Sequence, residues 1–391
     1  MDSAARVRQT AGVTTFTFAT AGQIIFGPGK SARLGSIVAG FGSRPFVCTG
    51  SDPGRHASVL DALRDVAVFP IDHEPTLAMV RRGADAARDH GADVVVGLGG
   101  GSVMDAAKII AALVTNGGDP LDYAEVIGRG LPLALRALPC IAVPTTAGTG
   151  SEVTANGVVT SPEHGVKVSL RSTSMLPSVA LVDPELTLAC PPAVTAHAGL
   201  DALVQCVEPF VSPFATPLTD GFCREGIRRA GRGLRRAFHH GDDLDARTDM
   251  SLCSLLSGMA LANGKLGVVH GLAGPLGGLL GAPHGALTAA VMVAAGRANL
   301  AALRAADPAH PALDRYAEIG DLLVGVHDPE AGLDWFAETT AELGVPGLAA
   351  VGLREDQLPA VAQAASRASS TKGNPIALTV AQLTDILQES M

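Results

Sequence analysis

The sequence predicts two structural classes in one chain: an α/β domain over residues 1–190 and an all-helical domain over residues 191–391. Three observations lead there. In the first half, short β-rich apolar runs alternate with helical stretches, the pattern of a parallel sheet with crossover helices. After Pro191-Pro192 the β-branched alternation gives way to helical periodicity. Two glycine-rich segments each follow an apolar run directly, which places them at the C-terminal ends of parallel strands. A chain of 391 residues is long enough for two domains with a large buried core.

The elements follow in order. Thr14 to Phe18 alternates polar and apolar residues like an edge strand, and Gly22 to Phe26 leads into the turn Gly27-Pro28-Gly29. Pro45 to Thr49 reads as a short strand, followed by a polar loop from Gly50 to His56. Asp93 to Leu98 is a continuous apolar run, as expected of a strand buried on both faces, and Val103 to Leu113 reads as helix. Ile141 to Val143 and Val179 to Val182 are two further buried strands. Helical periodicity then covers 195–211, 219–238, 246–263, 284–303 and 333–343.

Composition narrows the function. Hydrophobic residues make up 47% and charged residues 17%, which excludes a disordered tail. The net charge of −9 without a basic block argues against nucleic acid or an anionic membrane surface as partner. The longest nearly apolar run, Ala286 to Ala295, is too short to span a bilayer, and the first 30 residues lack the apolar core of a secretory signal. Six cysteines are scattered without a C-x-x-C pair and read as buried hydrophobes of a reducing compartment. A soluble cytoplasmic protein is expected.

Gly99-Gly100-Gly101-Ser102 follows the apolar strand and opens a helix. Glycines there let a phosphate approach the backbone, and a helix start supplies free N–H groups and a positive dipole end. The string from Gly97 departs from the dinucleotide fingerprint in its last glycine, and no acidic residue stands about 20 positions on. The second run, Pro144 to Glu152, offers hydroxyls and backbone donors for a sugar or amide edge. Its alternative is a hydroxyl-capped helix start with Ser151 as N-cap. Two such loops at strand ends face one crevice.

These residues resemble the iron-containing (group III) alcohol dehydrogenase family. The match runs through Gly99-Gly100-Gly101-Ser102-Val103-Met104-Asp105-Ala106-Ala107-Lys108, then Pro144 to Thr154, then Asp183-Pro184-Glu185-Leu186. It continues with Gly199-Leu200-Asp201-Ala202-Leu203, Val269-His270-Gly271 and Pro283-His284-Gly285, with a weaker echo at Asn374-Pro375. Order and spacing agree over roughly residues 20 to 300. The resemblance implies the dehydroquinate synthase-like fold: a dinucleotide-binding α/β domain, a helical C-terminal domain, and NAD(P)-linked alcohol–carbonyl chemistry in the cleft between them. It also implies a homodimer.

Family members hold a divalent metal, iron or zinc, with one aspartate and three histidines. Asp201, His270 and His284 match three of these, and all three are implied as catalytic. The remaining histidine position is Gln205, on the same helix face as Asp201 by its i, i+4 spacing. A neutral amide oxygen is a poorer donor than imidazole for zinc or ferrous iron, so a weakly held metal is expected. Gln205 is read either as that ligand or as a hydrogen-bonded polar residue inside a helix pair. A further family histidine, near the nicotinamide, is Gly274 here; its loss removes a proton carrier and opens room for a bulkier substrate.

For the cofactor, NAD-preferring members place an aspartate where this chain has Gly50, followed by Ser51. Without that carboxylate nothing repels a 2′-phosphate, and Arg55 is read either as its partner or as a solvated loop charge. NADP is therefore expected, with NAD also accepted. The resemblance assigns cofactor contacts to Gly99, Gly100, Gly101, Ser102, Asp105, Thr145, Thr146, Thr149 and Lys167. Two other readings stand beside an alcohol dehydrogenase or aldehyde reductase: a metal-independent reductase resembling maleylacetate reductases, and a non-catalytic cofactor-binding homologue.

Overall fold

The computed structural model describes residues 15–391. Six strands form one parallel sheet in the order β1-β8-β5-β4-β2-β3. They are β1 (Gln23–Phe26), β2 (Pro45–Thr49), β3 (Ala67–Pro70), β4 (Val94–Gly99), β5 (Cys140–Pro144) and β8 (Val179–Val182). The central strands β2, β4, β5 and β8 are buried along their whole length, which accounts for their unbroken apolar runs. Helices α1 (Leu34–Ala39) and α2 (Ala57–Leu60) pack on the face carrying Val47, Val96 and Ile141. The opposite face, with Phe46, Val95 and Cys140, takes α3 (Leu77–His90) and α4 (Gly101–Asn116). A short helix, α5 (Pro120–Tyr123), follows, and a hairpin of β6 (Asn156–Ser161) and β7 (Val166–Arg171) forms a second, two-stranded sheet.

The C-terminal half is helical: α6 (Pro192–Val211), α7 (Pro217–His239), α8 (Leu244–Gly264), α9 (Val268–Leu280), α10 (His284–Ala306), α11 (Pro311–Val324), α12 (Ala331–Glu342), α13 (Leu358–Ala365) and α14 (Val380–Glu389). Its core joins Leu203, Phe210, Leu234, Leu272, Leu287 and Phe336. Helix α10 is long and apolar enough to cross a membrane, yet 67% of its most apolar window is buried within the protein. It contacts α6, α9, α12 and α14, the environment of a core helix.

Several expectations change. Residues 15–18 form no strand, and Thr14 lies outside the described residues. Ser151 does not cap a helix: Gly150, at φ 61°, holds that position, and Ser151 opens a single 3-10 turn. The sequence pattern does not mark the short edge strand β3, the β6–β7 hairpin or α9, in which Pro275 interrupts the periodicity. No cysteine is disulfide-bonded, and all but the half-buried Cys190 are buried.

The order of the sheet creates the crevice. From β2 the chain moves outward to β3, and from β4 it moves the other way to β5. The switch point therefore lies between the carboxyl ends of β2 and β4, beside Gly50 and Gly99. The β5 loop then reaches the helical half through two glycines packed backbone to backbone. A side chain at Gly150 would stand 2.4 Å from Gly258 Cα, and one at Gly258 would stand 2.4 Å from Gly150 O.

This contact is testable. Gly150→Ala imposes a left-handed residue and a clash together and should cost about 2–4 kcal/mol. Gly165→Ala, at φ 61° with open space around it, should cost only about 1–2 kcal/mol. Equal losses in denaturant unfolding would show that the interdomain contact carries no strain.

Candidate active site

Two clusters face the crevice. The first is built by the loops after β4 and β5. Gly100 is the N-cap of α4 without a side-chain cap, and Val103 N already donates to Gly100 O, so the N–H groups of Gly101 and Ser102 are the ones open to a ligand. A side chain at Gly101 would meet Thr149 at 2.6 Å, and one at Gly99 would meet Val103 at 2.6 Å. Thr145 N donates to Gly99 O at 3.0 Å, tying the loops together. Gly100, Gly101, Ser102, Thr145 and Thr146 are half-buried and Thr149 is exposed, so the cradle remains accessible. This arrangement fits a dinucleotide pyrophosphate.

The cradle is stiffened from beneath by Lys108, which is fully buried. Its ammonium donates to Ser151 O at 2.9 Å and Thr154 Oγ1 at 3.0 Å, and stands 3.3 Å from Asp105 Oδ1. Asp105 also accepts from Ser151 Oγ and from Val158 N. Its carboxylate thus joins α4, the β5 loop and β6 directly beneath the glycine turn. At the crevice edge Gly50 has nothing within 4 Å of an added side chain. Ser51 is exposed, and Arg55 pairs with Asp52 at 3.5 Å on the surface. Lys167 lies on β7, paired with Glu74 at 2.5 Å and facing Gly277 of α9.

The second cluster comes entirely from the helical half. Asp201 and Gln205 lie one turn apart on α6, His270 in the first turn of α9, and His284 at the start of α10. Ligand atoms of Asp201, His270 and His284 all lie within 4.8 Å of one another. His270 Nε2 stands 3.5 Å and His284 Nε2 4.0 Å from Asp201 Oδ1. At 3.5 Å the first of these is too long for a hydrogen bond, and His270 Nε2 is buried without a partner. An orphaned imidazole nitrogen aimed at a carboxylate and a second imidazole fits a divalent cation.

Local packing explains this convergence. A side chain at Gly285 would strike His197 O at 2.1 Å, so only glycine lets the start of α10 lie against α6. Gly274 is exposed with nothing within 4 Å of an added side chain, so the cleft is open on that face of α9.

Three further residues hold the cluster and were absent from the sequence reading. Glu208 accepts from Val269 N at 2.7 Å and pairs with His270 Nδ1 at 2.6 Å, which directs Nε2 to the site. Thr288 Oγ1 donates to Asp201 Oδ1 at 3.0 Å, and Ser257 Oγ lies 2.9 Å from Gln205 Oε1. The helical spacing 201, 205, 208 on α6 was the available signal for Glu208; nothing local marks the other two. Asn374, the weak distal echo, accepts from Val268 N at 3.2 Å and so supports the same helix start.

Electrostatics favour a cation. Burial drives the His270 pKa down, but the Glu208 and Asp201 carboxylates outweigh it and raise the value to about 10. Burial also opposes ionisation of Asp201, while His284, His270 and the Thr288 hydroxyl more than compensate and hold it below the usual carboxylate range.

Comparison with known proteins agrees with this geometry. Residues 21–184 match the family model "Iron-containing alcohol dehydrogenase", and residues 195–391 match "Fe-containing alcohol dehydrogenase family, C-terminal". The chain is 38% identical to a 4-hydroxybutyrate dehydrogenase of Cupriavidus necator, covering 85% of this chain and 87% of that one. It is 37% identical to a 1,3-propanediol dehydrogenase of Klebsiella pneumoniae, over 80% and 79% of the two chains. A crystal structure of a 1,3-propanediol oxidoreductase superposes with a TM-score of 0.88 at 31% identity, covering 97% of this chain and 100% of that one. The glycine cradle, the Asp–His–His cluster and these matches together make the chain a member of the iron-containing alcohol dehydrogenase family, an NAD(P)-dependent oxidoreductase acting on CH–OH donors.

Proposed function

We propose that the crevice interconverts a small alcohol and its aldehyde or ketone, with NADP(H) preferred and NAD(H) also accepted. The observation that carries this reading is the occurrence in one chain of a glycine cradle and an Asp–His–His cluster, with β7 of the sheet domain packed on α9, the helix that holds His270. We divide the chain at residue 190, after the last sheet strand and before α6. The protein acts as a cytoplasmic homodimer without nucleic-acid or membrane partners. Relatives named for 4-hydroxybutyrate and 1,3-propanediol support a short-chain alcohol as substrate. The open space beside Gly274 admits bulk there.

Each residue has a stated task. Gly99, Gly100, Gly101 and Ser102 bind the pyrophosphate through backbone N–H groups, with Thr145, Thr146 and Thr149 along the other wall. Lys167 reaches the nicotinamide-side ribose or phosphates, and Gly50 with Ser51 leaves room for a 2′-phosphate. When bound there, the nicotinamide cofactor would supply hydride donor and acceptor chemistry. Asp201, His270 and His284, with Gln205 beside them, would hold a divalent iron or zinc ion, which would supply Lewis-acid polarisation of the substrate oxygen. Glu208 fixes the His270 tautomer and Thr288 orients Asp201; in the metal-independent reading His270 or His284 would instead give the proton to the carbonyl oxygen.

Turnover of NADPH with short-chain aldehydes tests the activity, and its loss in chelator tests the cation; full activity in chelator without bound metal favours the metal-independent reading. Gly100→Val, whose first added atom already stands 3.4 Å from Thr146 Oγ1, should weaken nicotinamide binding with little loss of fold. Unchanged calorimetric affinity would sink the cradle. Gly50→Asp should shift preference toward NAD(H) by about tenfold or more, the worth of one hydrogen bond to a charged group. A wild type that strongly prefers NAD(H) would contradict the premise.

The cation should also bind in competition with a proton. His270 is held protonated up to about pH 10 in the cation-free protein, so binding must displace that proton. Affinity should therefore fall as pH falls, by about tenfold per unit across the neutral range. Calorimetry in two buffers of different ionisation enthalpy should register release of about one proton per cation. A pH-independent affinity would show His270 to be neutral already.

A further inference from the structure

The amide of Gln205 is held at both ends. Its Nε2 donates to Asp201 Oδ2 at 2.8 Å, while its Oε1 accepts from Ser257 Oγ at 2.9 Å. This orientation is dictated by charge: the opposite one would set a carbonyl oxygen against a carboxylate oxygen at the same separation. The side chain therefore turns two N–H donors toward the Asp–His–His cluster, and an N–H group is no ligand for a cation.

Ser257 makes the other orientation available. Its hydroxyl lies 2.8 Å from Ser254 O as well as 2.9 Å from Gln205 Oε1, and a hydroxyl carries one proton and two lone pairs. If that proton goes to Ser254 O, Ser257 Oγ becomes an acceptor for an amide N–H. The pair can thus satisfy a reversed amide without moving any backbone. Both residues are buried, Gln205 at 4% and Ser257 at 0% exposure, so no solvent substitutes for either partner.

We propose that Gln205 is a reversible ligand: entry of a divalent cation turns its side-chain amide over, presenting Oε1 to the ion and Nε2 to Ser257 Oγ. The inference rests on the cation site proposed above. In the cation-free protein the amide neutralises one oxygen of Asp201; in the loaded protein the cation does so, and the amide is released to act as a donor of electron density. Ser257 supports both states by exchanging the direction of one hydrogen bond. The reversed state depends on Ser257 more heavily, because without it a buried N–H is left unsatisfied.

The test is a double-mutant cycle read by calorimetric titration of metal-stripped protein with Co2+ and Zn2+, with thermal unfolding of each stripped variant as the fold control. Ser257→Ala should lower cation affinity about tenfold or more. Gln205→His supplies a ring nitrogen that needs no reversal, so adding Ser257→Ala to Gln205→His should change affinity by less than about twofold. Equal losses from Ser257→Ala in both backgrounds, or no loss in either, overturn the reversal while leaving the cation site standing. A wild type that binds neither ion overturns the cation site and the reversal with it. Ser257→Ala is a small truncation; should it nonetheless unfold, the visible spectrum of Co2+-loaded wild type against Gln205→Leu decides. A ligand-field change supports Oε1 as a ligand, and identical spectra exclude it.

Discussion

The candidate chemistry depends on one buried carboxylate. Glu208 is at once an anion at the start of α9 and the partner of His270 Nδ1, with its oxygens divided between Val269 N and the imidazole. A carboxylate is stable in so dry a place because a helix N-terminus and an imidazole surround it. Its position in turn demands a glycine at 267, where a side chain would stand 2.9 Å from Glu208 Oε1. The backbone, the tautomer and the direction of the orphaned Nε2 are thus one arrangement, and loss of the Glu208 charge would undo all three.

A second buried charge does similar work in the sheet domain. Lys108 and Asp105 bind the glycine turn, the β5 loop and the hairpin into one rigid piece. The cradle is preorganised, so its free N–H groups need not be gathered when a ligand arrives. Both halves of the crevice follow the same rule: each set of ligand-facing groups is fixed by an ion placed one layer behind it, where water cannot loosen it.

Much of the fold was legible because it is written locally. β2 and β8 were read to the residue, and β4, β5 and α4 within two or three residues, since buried strands are unbroken apolar runs and α4 begins at glycines. Asp201, His270 and His284 were indicated by the family resemblance, through motifs that keep their order along the chain. Illegible were features set by tertiary packing. The edge strand β3 alternates with half its residues outward and ends in Pro70, and α9 carries four glycines and a proline within its span. The ties from Asp105 to Lys108, Ser151 and Val158 are likewise set by packing between elements. Ser257 and Thr288 matter only because α8 and α10 pass beside α6, a fact no window of sequence contains.

The proposed cation ligands belong to α6, α9 and α10, whereas the proposed dinucleotide cradle belongs to the loops after β4 and β5. The two chemistries are therefore inherited as separate modules that share a boundary but no residue. A change at Gln205 therefore leaves every residue of the dinucleotide cradle untouched. The mixed character of this chain, with an intact cradle beside an altered ion site, is the kind of sequence such independence allows.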